Sequence, residues 1–277
     1  MRPGTPRLSG DGLTLAYDKR TIAERLTVAV PDRSFTVVIG PNACGKSTLL
    51  RALARMLRPA AGMVLLDGRD IHAQPARRVA RTLGLLPQTS IAPDGITVAE
   101  LVARGRYPHQ GLLRQWSRDD ERIVGESMAA TGVADLADRL VDELSGGQRQ
   151  RVWIAMALAQ QTELLLLDEP TTFLDIAHQI EVLDLCATLH EEQGRTLVAV
   201  LHDLNQAARY ASHLIAMRDG QVVAAGPPRE IVTADLVERV FGLPCRVIDD
   251  PETGSPLVVP AARRVPAASA SPPIIDA

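Results

Sequence analysis

Eight consecutive residues, Gly40–Ser47, match the spacing G-x-x-x-x-G-K-[ST] of a phosphate-binding loop, or P-loop. The glycines let the backbone wrap tightly, so that several N–H groups point inward at phosphate oxygens. Lys46 adds a point charge that reaches the β- and γ-phosphates, and the Ser47 hydroxyl can ligate Mg²⁺. These residues predict a site for a nucleoside triphosphate with Mg²⁺ beside it.

The segments around this loop have the order that such a site needs. The run Ser34–Gly40 is apolar and β-branched, which predicts a buried strand, and Thr48–Leu57 has a helical pattern. A helix that begins at the loop adds the positive end of its dipole to the phosphate site. The alternative, a glycine-rich turn that only caps a helix, is disfavoured by the ordered strand, loop, lysine and helix. The expected nucleotide contacts are the loop and the residue after it: Gly40, Pro41, Asn42, Ala43, Cys44, Gly45, Lys46, Ser47 and Thr48.

Two adjacent carboxylates, Asp168 and Glu169, end a second apolar run, Leu164–Asp168, and follow it. An aspartate at the carboxyl end of a buried strand can complete the Mg²⁺ shell with Ser47. Glu169 then projects toward the γ-phosphate, where it can polarise an attacking water as the general base. Taken alone, two acids at a strand end would more often be surface residues. Together with a P-loop they predict hydrolysis.

The segment Leu144–Gln148 (LSGGQ) lies between the two phosphate sites and is followed by Arg149-Gln150-Arg151. It resembles the signature sequence of the ATP-binding cassette (ABC) ATPases, the motor subunits of ABC transporters. The resemblance extends over about residues 13–226. It implies an α/β fold: a P-loop nucleotide hydrolase core with an antiparallel β edge subdomain and a helical insert that carries the signature.

The same resemblance implies roles for residues outside the P-loop. Tyr17 would stack on adenine, Gln88 would be the lid glutamine that reaches Mg²⁺ and the attacking water, and His202 would sense the γ-phosphate. Asp175 ends a loop, Thr172–Asp175, that would touch the partner subunit. The candidate catalytic set is then Glu169, His202, Gln88 and Asp175, and the candidate Mg²⁺ ligands are Ser47, Gln88 and Asp168.

The signature also has a physical explanation of its own. Ser145 and Gln148 have the spacing of a capping box at a helix start. Gly146 and Gly147 leave backbone N–H groups uncovered at the positive end of that helix. An ordinary capped helix explains the first pair but not the glycines, which lower helix propensity. In the family, the signature of one subunit closes over the ATP in the P-loop of the other, which implies ATP contacts at Leu144, Ser145, Gly146, Gly147 and Gln148.

Strand-like and helix-like patterns alternate along most of the chain, which predicts a mainly parallel sheet. The predicted strands are Leu13–Tyr17 and Thr27–Val30, both antiparallel edge strands, and Ser34–Gly40, Leu164–Asp168, Thr196–Leu201 and His213–Met217. Between residues 97 and 159 only helical patterns occur, at Val98–Gly105, Asp119–Thr131 and Gln148–Gln160. Arg149 and Arg151 are expected on a solvated face of the last of these.

The expected organisation has five parts. They are a mobile tail (1–10), a core in two pieces (11–90 and 160–226), a helical subdomain (91–159), a C-terminal extension (227–259) and a second mobile tail (260–277).

Two residues depart from the usual loop of the family. Ala43 occupies a position that is commonly glycine, and a positive φ there would strain it by about 1–2 kcal/mol. Cys44 adds a thiol. Lys46 and the helix N-terminus favour a reactive thiolate, whereas packing beneath the loop would make the side chain an inert small hydrophobe. The sequence leaves both alternatives open.

Composition narrows the function further. The net charge of −3 provides no basic field for nucleic-acid phosphates, and an aromatic content of 3% leaves few platforms for bases, so no nucleic-acid partner is expected. Three scattered cysteines form neither a disulfide framework nor a zinc site. No apolar stretch approaches the roughly 20 residues of a membrane-spanning helix, and the first residues lack a secretory signal. A cytoplasmic protein is expected, which reaches a membrane only by docking on another protein.

Two segments narrow the transport class. Arg104–His109 and the C-terminal stretch Leu236–Val259 resemble the ATPases of importers for iron–siderophore complexes, haem and vitamin B12. The implied assembly is two copies of this chain on the cytoplasmic face of the inner membrane, bound to a transmembrane permease, with a separate substrate-binding protein outside. Ferric siderophore is the favoured cargo, and haem and cobalamin are the alternatives.

Two other classes are weighed against this one. A soluble ABC ATPase that acts on DNA or ribosomes is disfavoured, because the chain has one cassette and no coiled-coil insert. A scaffold with an inactive site is disfavoured, because Lys46, Glu169 and His202 are all present.

Overall fold

The computed structural model describes residues 6–18, 20–88, 91–111, 116–172 and 174–262. Its strands are β1 (Leu8–Tyr17), β2 (Arg20–Val30), β3 (Phe35–Ile39), β4 (Ala61–Leu66), β5 (Arg69–Asp70), β6 (Leu83–Leu86), β7 (Leu164–Asp168), β8 (Thr196–Val200), β9 (His213–Arg218), β10 (Gln221–Gly226), β11 (Cys245–Asp249) and β12 (Pro256–Pro260). Its helices are α1 (Lys46–Leu53), α2 (Ala76–Thr82), α3 (Val98–Ala103), α4 (Arg118–Ala130), α5 (Gly146–Ala159), α6 (Ile176–Glu191), α7 (Leu204–Tyr210), α8 (Pro228–Ile231) and α9 (Ala234–Phe241). Short 3-10 helices cover Arg104–His109, Ala134–Leu136 and Val141–Glu143.

A six-stranded sheet in the order β10-β9-β3-β8-β7-β6 forms the centre of the fold. Its strand pairs are parallel except for β10 with β9. The four predicted core strands are confirmed as β3, β7, β8 and β9. Because parallel strands end at the same edge of a sheet, the P-loop after β3, Asp168 at the end of β7 and His202 after β8 are brought together.

Apolar side chains cover both faces of this sheet. Along β3, Phe35, Val37 and Ile39 face the core that contains α5 and α6. Val38 faces the opposite core, with Leu50 of α1. Burial of a side chain of this size stabilises the folded state by about 1.5–3 kcal/mol relative to leaving it exposed to water. The strands therefore form a stiff base for the loops at their carboxyl ends.

A second, antiparallel sheet has the order β2-β1-β4-β5 and shares a core with α1. The predicted antiparallel pair of edge strands is confirmed as β1 and β2, but both begin earlier than expected, β1 at Leu8 and β2 at Arg20. Leu8 is fully buried and pairs with Val30 and Leu66. The expected mobile tail 1–10 is therefore wrong for residues 8–10, because their pairing and burial fix them. Residues 1–5 lie outside the described residues.

Between Thr97 and Ala159 the described residues form helices and the turns that join them, with no strand beyond one isolated bridge between Thr97 and Leu140. α3 and α4 pack against α5, and each of the three helices begins at a capping box. α5 begins two residues before the helical pattern predicted from Gln148, and its N-cap is Ser145, as the capping-box spacing indicates.

α1 is also displaced from its prediction, Thr48–Leu57. It begins at Lys46, directly after its N-cap Gly45. It ends at Leu53, because Arg55 turns into the left-handed region with φ 64°.

A buried ion pair anchors the segment Arg104–His109 to the rest of the helical insert. Arg106 is 4% exposed, its Nε donates to Asp120 Oδ1 at 2.9 Å, and its Nη1 donates to Ala159 O at 2.7 Å. Burial alone would raise the pKa of Asp120. Hydrogen bonds from Arg106 and Ser117 outweigh burial and hold that pKa below its usual value.

The C-terminal hairpin β11–β12 packs on α7. Asn205 Nδ2 donates to Val258 O at 3.2 Å, and Val258 N donates to Asn205 Oδ1 at 2.7 Å. The expected tail 260–277 overlaps the last residue of β12, Pro260, which is paired with Cys245. Residues 263–277 lie outside the described residues. In the part of the chain that is described, no helix has both the length and the apolar character to cross a membrane.

Candidate nucleotide-binding and catalytic site

The P-loop connects β3 to α1, and its glycines are required sterically. Gly40 has a φ of 153°, and a Cβ at that position would lie 2.2 Å from Met217 O. Gly45, with a φ of 104°, is the N-cap of α1, and no described side chain caps this helix. The first N–H groups of α1 are therefore available to an anion.

Lys46 lies inside the loop. It is 5% exposed, and its Nζ donates to Gly40 O at 2.8 Å and to Pro41 O at 2.9 Å. An ammonium group has three donors, so one remains for a phosphate oxygen. A cavity of about 240 Å³ opens beside the loop, lined by Arg20, Ile22, Asn42, Ala43, Gly45, Lys46, Ser47, Thr48, Glu169 and His202.

Two of these lining residues were missed from sequence, and one predicted residue lies elsewhere. Arg20 and Ile22 reach the cavity from β2, and their place just after Tyr17 in the first hairpin is the only signal for them. Tyr17 itself is 40% exposed at the end of β1, and its hydroxyl accepts a hydrogen bond from Arg51 Nη1 at 3.4 Å. Tyr17 does not line the cavity, so adenine stacking by this residue stays a prediction.

Ser47 and Asp168 meet beside the loop, where Ser47 Oγ donates to Asp168 Oδ1 at 2.8 Å. Asp168 is 1% exposed, and burial raises its pKa, as does the neighbouring charge of Glu169. A hydroxyl and a carboxylate are the hard oxygen ligands that Mg²⁺ prefers, and this ion usually takes its other ligands from phosphates and water. Among the described residues no cluster of three or more His, Cys, Asp or Glu side chains forms a metal cage. The donor set fits Mg²⁺ bound together with a nucleotide.

Glu169 is contacted by side chains from three separate segments. Its Oε2 accepts hydrogen bonds from Gln88 Nε2 at 2.8 Å and from Thr172 Oγ1 at 3.2 Å, and its Oε1 lies 2.7 Å from His202 Nε2. The backbone of Glu169 has a φ of 55°, and its side chain is 11% exposed. The carboxylate is thus held in one direction at the edge of the cavity, as a general base requires. Sequence reasoning missed the contact from Thr172.

The structure shows the conformation of Ala43 and the position of the Cys44 side chain, the two residues that depart from the usual loop. Ala43 has a φ of 61°, so the strain of about 1–2 kcal/mol that a positive φ predicts is present. Cys44 is 4% exposed and belongs to the apolar core beneath the loop. Burial raises the pKa of the Cys44 thiol, and the nearby Lys46 offsets only part of the rise. The reactive-thiolate alternative is therefore wrong, and the packed alternative describes the site.

Asp175 lies away from the cavity and serves as the N-cap of α6. Its Oδ1 accepts a hydrogen bond from His178 N at 3.0 Å and lies 2.7 Å from His178 Nδ1. The backbone bond lowers the pKa of Asp175. Within one chain, Thr172 rather than Asp175 is the member of this loop that contacts Glu169. Phe173 lies outside the described residues.

The signature segment Leu144–Gln148 forms the N-terminus of α5. Ser145 N donates to Gln148 Oε1 at 3.1 Å, and Gln148 N donates to Ser145 Oγ at 3.3 Å. Leu144 is buried, whereas Ser145 and Gly146 are exposed. A Cβ on Gly147 would make an ordinary contact of 3.4 Å with the side chain of Leu174. Packing within this chain therefore does not require glycine at position 147.

The residues after the signature are not a solvated face, and that expectation is wrong. Arg149 and Arg151 are partly buried, and the Nε atoms of both are buried without a hydrogen-bond partner among the described residues. Arg149 Nη2 donates to Asp142 O at 3.3 Å, and Gln150 Nε2 donates to Pro170 O at 3.0 Å. These side chains fix the signature helix against its neighbours.

The chain matches the family model for the ABC transporter over residues 23–172, a span that contains the P-loop, the signature and both carboxylates of the second phosphate site. The chain belongs to this family. It is 59% identical to the ferric enterobactin transport ATP-binding protein FepC of Escherichia coli strain K12, over 98% of this chain and 100% of that protein.

Solved structures agree with the assignment to the ABC family. An ABC transporter in an inward-facing conformation has a TM-score of 0.78 at 29% identity, with 93% of this chain and 98% of that chain covered. A dimeric ATP-binding cassette in a post-hydrolysis state, bound to ADP and Pi, has a TM-score of 0.72 at 26% identity, with 79% and 98% covered. The expected fold of this ABC ATPase is thereby confirmed. ABC ATPases of importers hydrolyse ATP and work as dimers with permease partners.

Proposed function

We propose that this ABC ATPase powers the import of ferric siderophores. The observation that carries the proposal is its 59% identity, over 98% of the chain, with a protein named for ferric enterobactin transport. The cargo itself does not contact an ATPase subunit, so the proposal depends on similarity throughout the chain rather than on one pocket. Haem and cobalamin are the alternative cargoes.

In the proposed reaction, ATP binds with its phosphates on the P-loop, where Lys46 and the N-terminus of α1 supply positive charge. Ser47, Asp168 and Gln88 would hold Mg²⁺, which neutralises phosphate charge when bound. Glu169 takes a proton from the attacking water as the general base. Its contacts with His202 and Gln88 orient the carboxylate and connect it to two neighbouring segments.

Two copies of the chain would form the working unit. Each copy presents the signature segment, with Ser145 and Gly146 exposed at the positive end of α5. We place this surface against ATP on the P-loop of the second copy. The lack of a packing reason for glycine at position 147 supports a contact of this kind.

The permease contact is proposed at a groove of about 420 Å³ beside the segment Arg104–His109. Tyr107 and Trp116 line this groove and are 59% and 46% exposed. A cytoplasmic loop of the permease, with apolar side chains, is the proposed occupant, and it would hold the ATPase at the inner face of the membrane. A substrate-binding protein outside would deliver the cargo. A Tyr107→Cys variant should crosslink to that permease loop, whereas crosslinks only at other surfaces would contradict the placement.

Uptake measurements test the cargo. In the organism that encodes the chain, deletion of its gene should abolish uptake of at least one radiolabelled ferric siderophore from a panel of catecholate, hydroxamate and carboxylate types. Haem and cobalamin uptake should be unchanged. The wild-type gene should restore uptake and the Glu169→Gln variant should not. Loss of haem or cobalamin uptake, with every siderophore still imported, would replace the proposed cargo.

A further inference from the structure

Two of the contacts that hold Glu169 come from segments that are far apart in sequence. Thr172 follows β7 and leads into α6, and its Oγ1 donates to Glu169 Oε2 at 3.2 Å. His202 follows β8 and leads into α7, and its Nε2 lies 2.7 Å from Glu169 Oε1. The direction of the carboxylate therefore depends on the separation between these two segments.

A bridge of two glutamines joins the same segments behind the site. Gln179 of α6 donates through Nε2 to Leu174 O at 3.0 Å, two residues after Thr172. Gln206 of α7 donates through Nε2 to Gln179 Oε1 at 3.0 Å. The backbone N–H of Gln206 donates to Asp203 Oδ1 at 2.9 Å, and Asp203 is covalently joined to His202.

These bonds and the two contacts at Glu169 close a ring. On one side the ring runs through Thr172 and Leu174, and on the other through Asp203 and His202. Each glutamine is partly buried, so water competes only weakly for the hydrogen bonds of its side-chain amide. Such hydrogen bonds are directional. Neither Gln179 nor Gln206 lines the nucleotide cavity.

We propose that Gln179 and Gln206 are positioning residues for ATP hydrolysis, because their bridge fixes the gap between Thr172 and His202 across which the Glu169 carboxylate is held. The bridge acts on the base and not on the P-loop. It therefore affects the chemical step more than nucleotide affinity. Simple packing of α6 on α7 would instead affect stability without a selective effect on turnover.

The experiment measures kcat, KM for ATP and the unfolding midpoint of the full-length chain. Gln206→Ala and Gln179→Ala should each lower kcat about tenfold, since small misplacements of catalytic groups are costly. KM for ATP should change less than about twofold, because the P-loop contacts stay in place. The double variant should have the same kcat as the less active of the two single variants, since either change opens the same ring.

Two further variants keep the test selective. Gln179→Glu preserves the acceptor for Gln206 but loses the donor to Leu174 O, so its kcat should fall as in Gln179→Ala. Gln74→Ala is the matched control, because Gln74 Nε2 also donates to a backbone carbonyl, Leu66 O, at 3.1 Å, but far from the site in the antiparallel sheet. Its kcat should equal that of the wild type, with a similar loss of stability. A wild-type kcat in Gln206→Ala or Gln179→Glu, or multiplicative losses in the double variant, would overturn the proposal.

Discussion

The two regions of this ABC ATPase that are proposed to face phosphate, the P-loop site and the signature segment, are built in opposite ways. The P-loop site is assembled from distant parts of the chain, where Ser47 meets Asp168 and three side chains hold Glu169. The signature segment is held by a local capping box, Ser145 with Gln148, and its outer side is exposed. Tertiary structure creates the first site, whereas helix-end chemistry creates the second.

The difference separates what one copy does alone from what needs two. A single chain already holds the Glu169 carboxylate in place and brings Ser47 and Asp168 together, the residues proposed as the general base and the Mg²⁺ ligands. Its signature can contribute only when a phosphate is brought to it from outside. Changes at the first region should therefore affect chemistry in each copy, and changes at the second should affect hydrolysis without weakening the fold or the P-loop.

The largest effect is expected at Glu169, the proposed general base. Glu169→Gln keeps the size of the side chain but removes the proton acceptor, and kcat should fall about 10²–10⁴-fold. ATP should still bind, because Lys46 and the loop are unchanged. Steady-state hydrolysis and equilibrium nucleotide binding measure the two effects. Turnover near that of the wild type would show that Glu169 is not the base.

The buried ion pair of the helical insert should give the next largest effect. Asp120→Ala leaves the Arg106 charge buried without its partner, which should lower the free energy of unfolding by about 3–5 kcal/mol. Because the folded pKa of Asp120 is below its usual value, the wild-type advantage should be complete above about pH 4 and fade at lower pH. Urea unfolding at several pH values measures it.

Asp119→Ala is the matched control on the same helix. Asp119 pairs with Arg122 at the surface, where water already solvates both groups, so its loss should change stability far less. Equal losses for the two variants would mean that the buried pair does not fix the position of the insert that carries the signature.

Gly147→Ala sharpens the comparison, because it should separate stability from turnover. A methyl group fits beside Leu174, and alanine favours a helix over glycine by up to about 1 kcal/mol, so the unfolding midpoint should stay the same or rise. In the proposed dimer the methyl group would cover N–H groups that face the second copy, and hydrolysis should fall about tenfold. Thermal unfolding and ATPase assays are needed on the same preparation. A variant that is as active as the wild type would refute a phosphate contact at this position.

The smallest effect is expected at Ala43, where the loop is strained. Ala43→Gly removes the backbone strain of a left-handed alanine, which costs the folded state about 1–2 kcal/mol. It also raises the conformational entropy of the unfolded chain, which favours unfolding by about 0.4–1 kcal/mol. The net change in unfolding free energy should lie between no change and a stabilisation of about 1.6 kcal/mol. Chemical denaturation measures it, and a clear destabilisation would show that the alanine side chain is needed for packing.

Local sequence patterns predicted the features that depend only on residues close together in the chain. The P-loop, the strand that ends at Asp168 and the helix that begins after Ser145 follow from spacing alone. Contacts between segments followed only in part: Ser47 was expected beside Asp168, but other contacts were not. The bond from Thr172 to Glu169 depends on how the chain turns after β7, and sequence periodicity carries no information about it.

Side-chain direction was the other quantity that the sequence left open. Cys44 is buried in the core because the loop turns its thiol beneath the backbone, although its neighbours in sequence favoured a thiolate. Arg149 and Arg151 have the charge of surface residues, but α5 is covered where they lie. The start of β1 at Leu8 was missed because the preceding residues are rich in proline, glycine and arginine.

The mass of the Glu169→Gln chain in solution, with and without Mg-ATP, tests most directly whether two copies complete the site. Light scattering should give a monomer near 29.8 kDa without nucleotide. With Mg-ATP it should give a dimer, because hydrolysis is blocked and, in the proposed arrangement, each signature would hold the phosphates of the other copy. A second substitution in the same chain, Gly147→Ala, should weaken that dimer while nucleotide binding persists. A monomer that binds Mg-ATP and keeps its mass at saturating nucleotide would contradict the account.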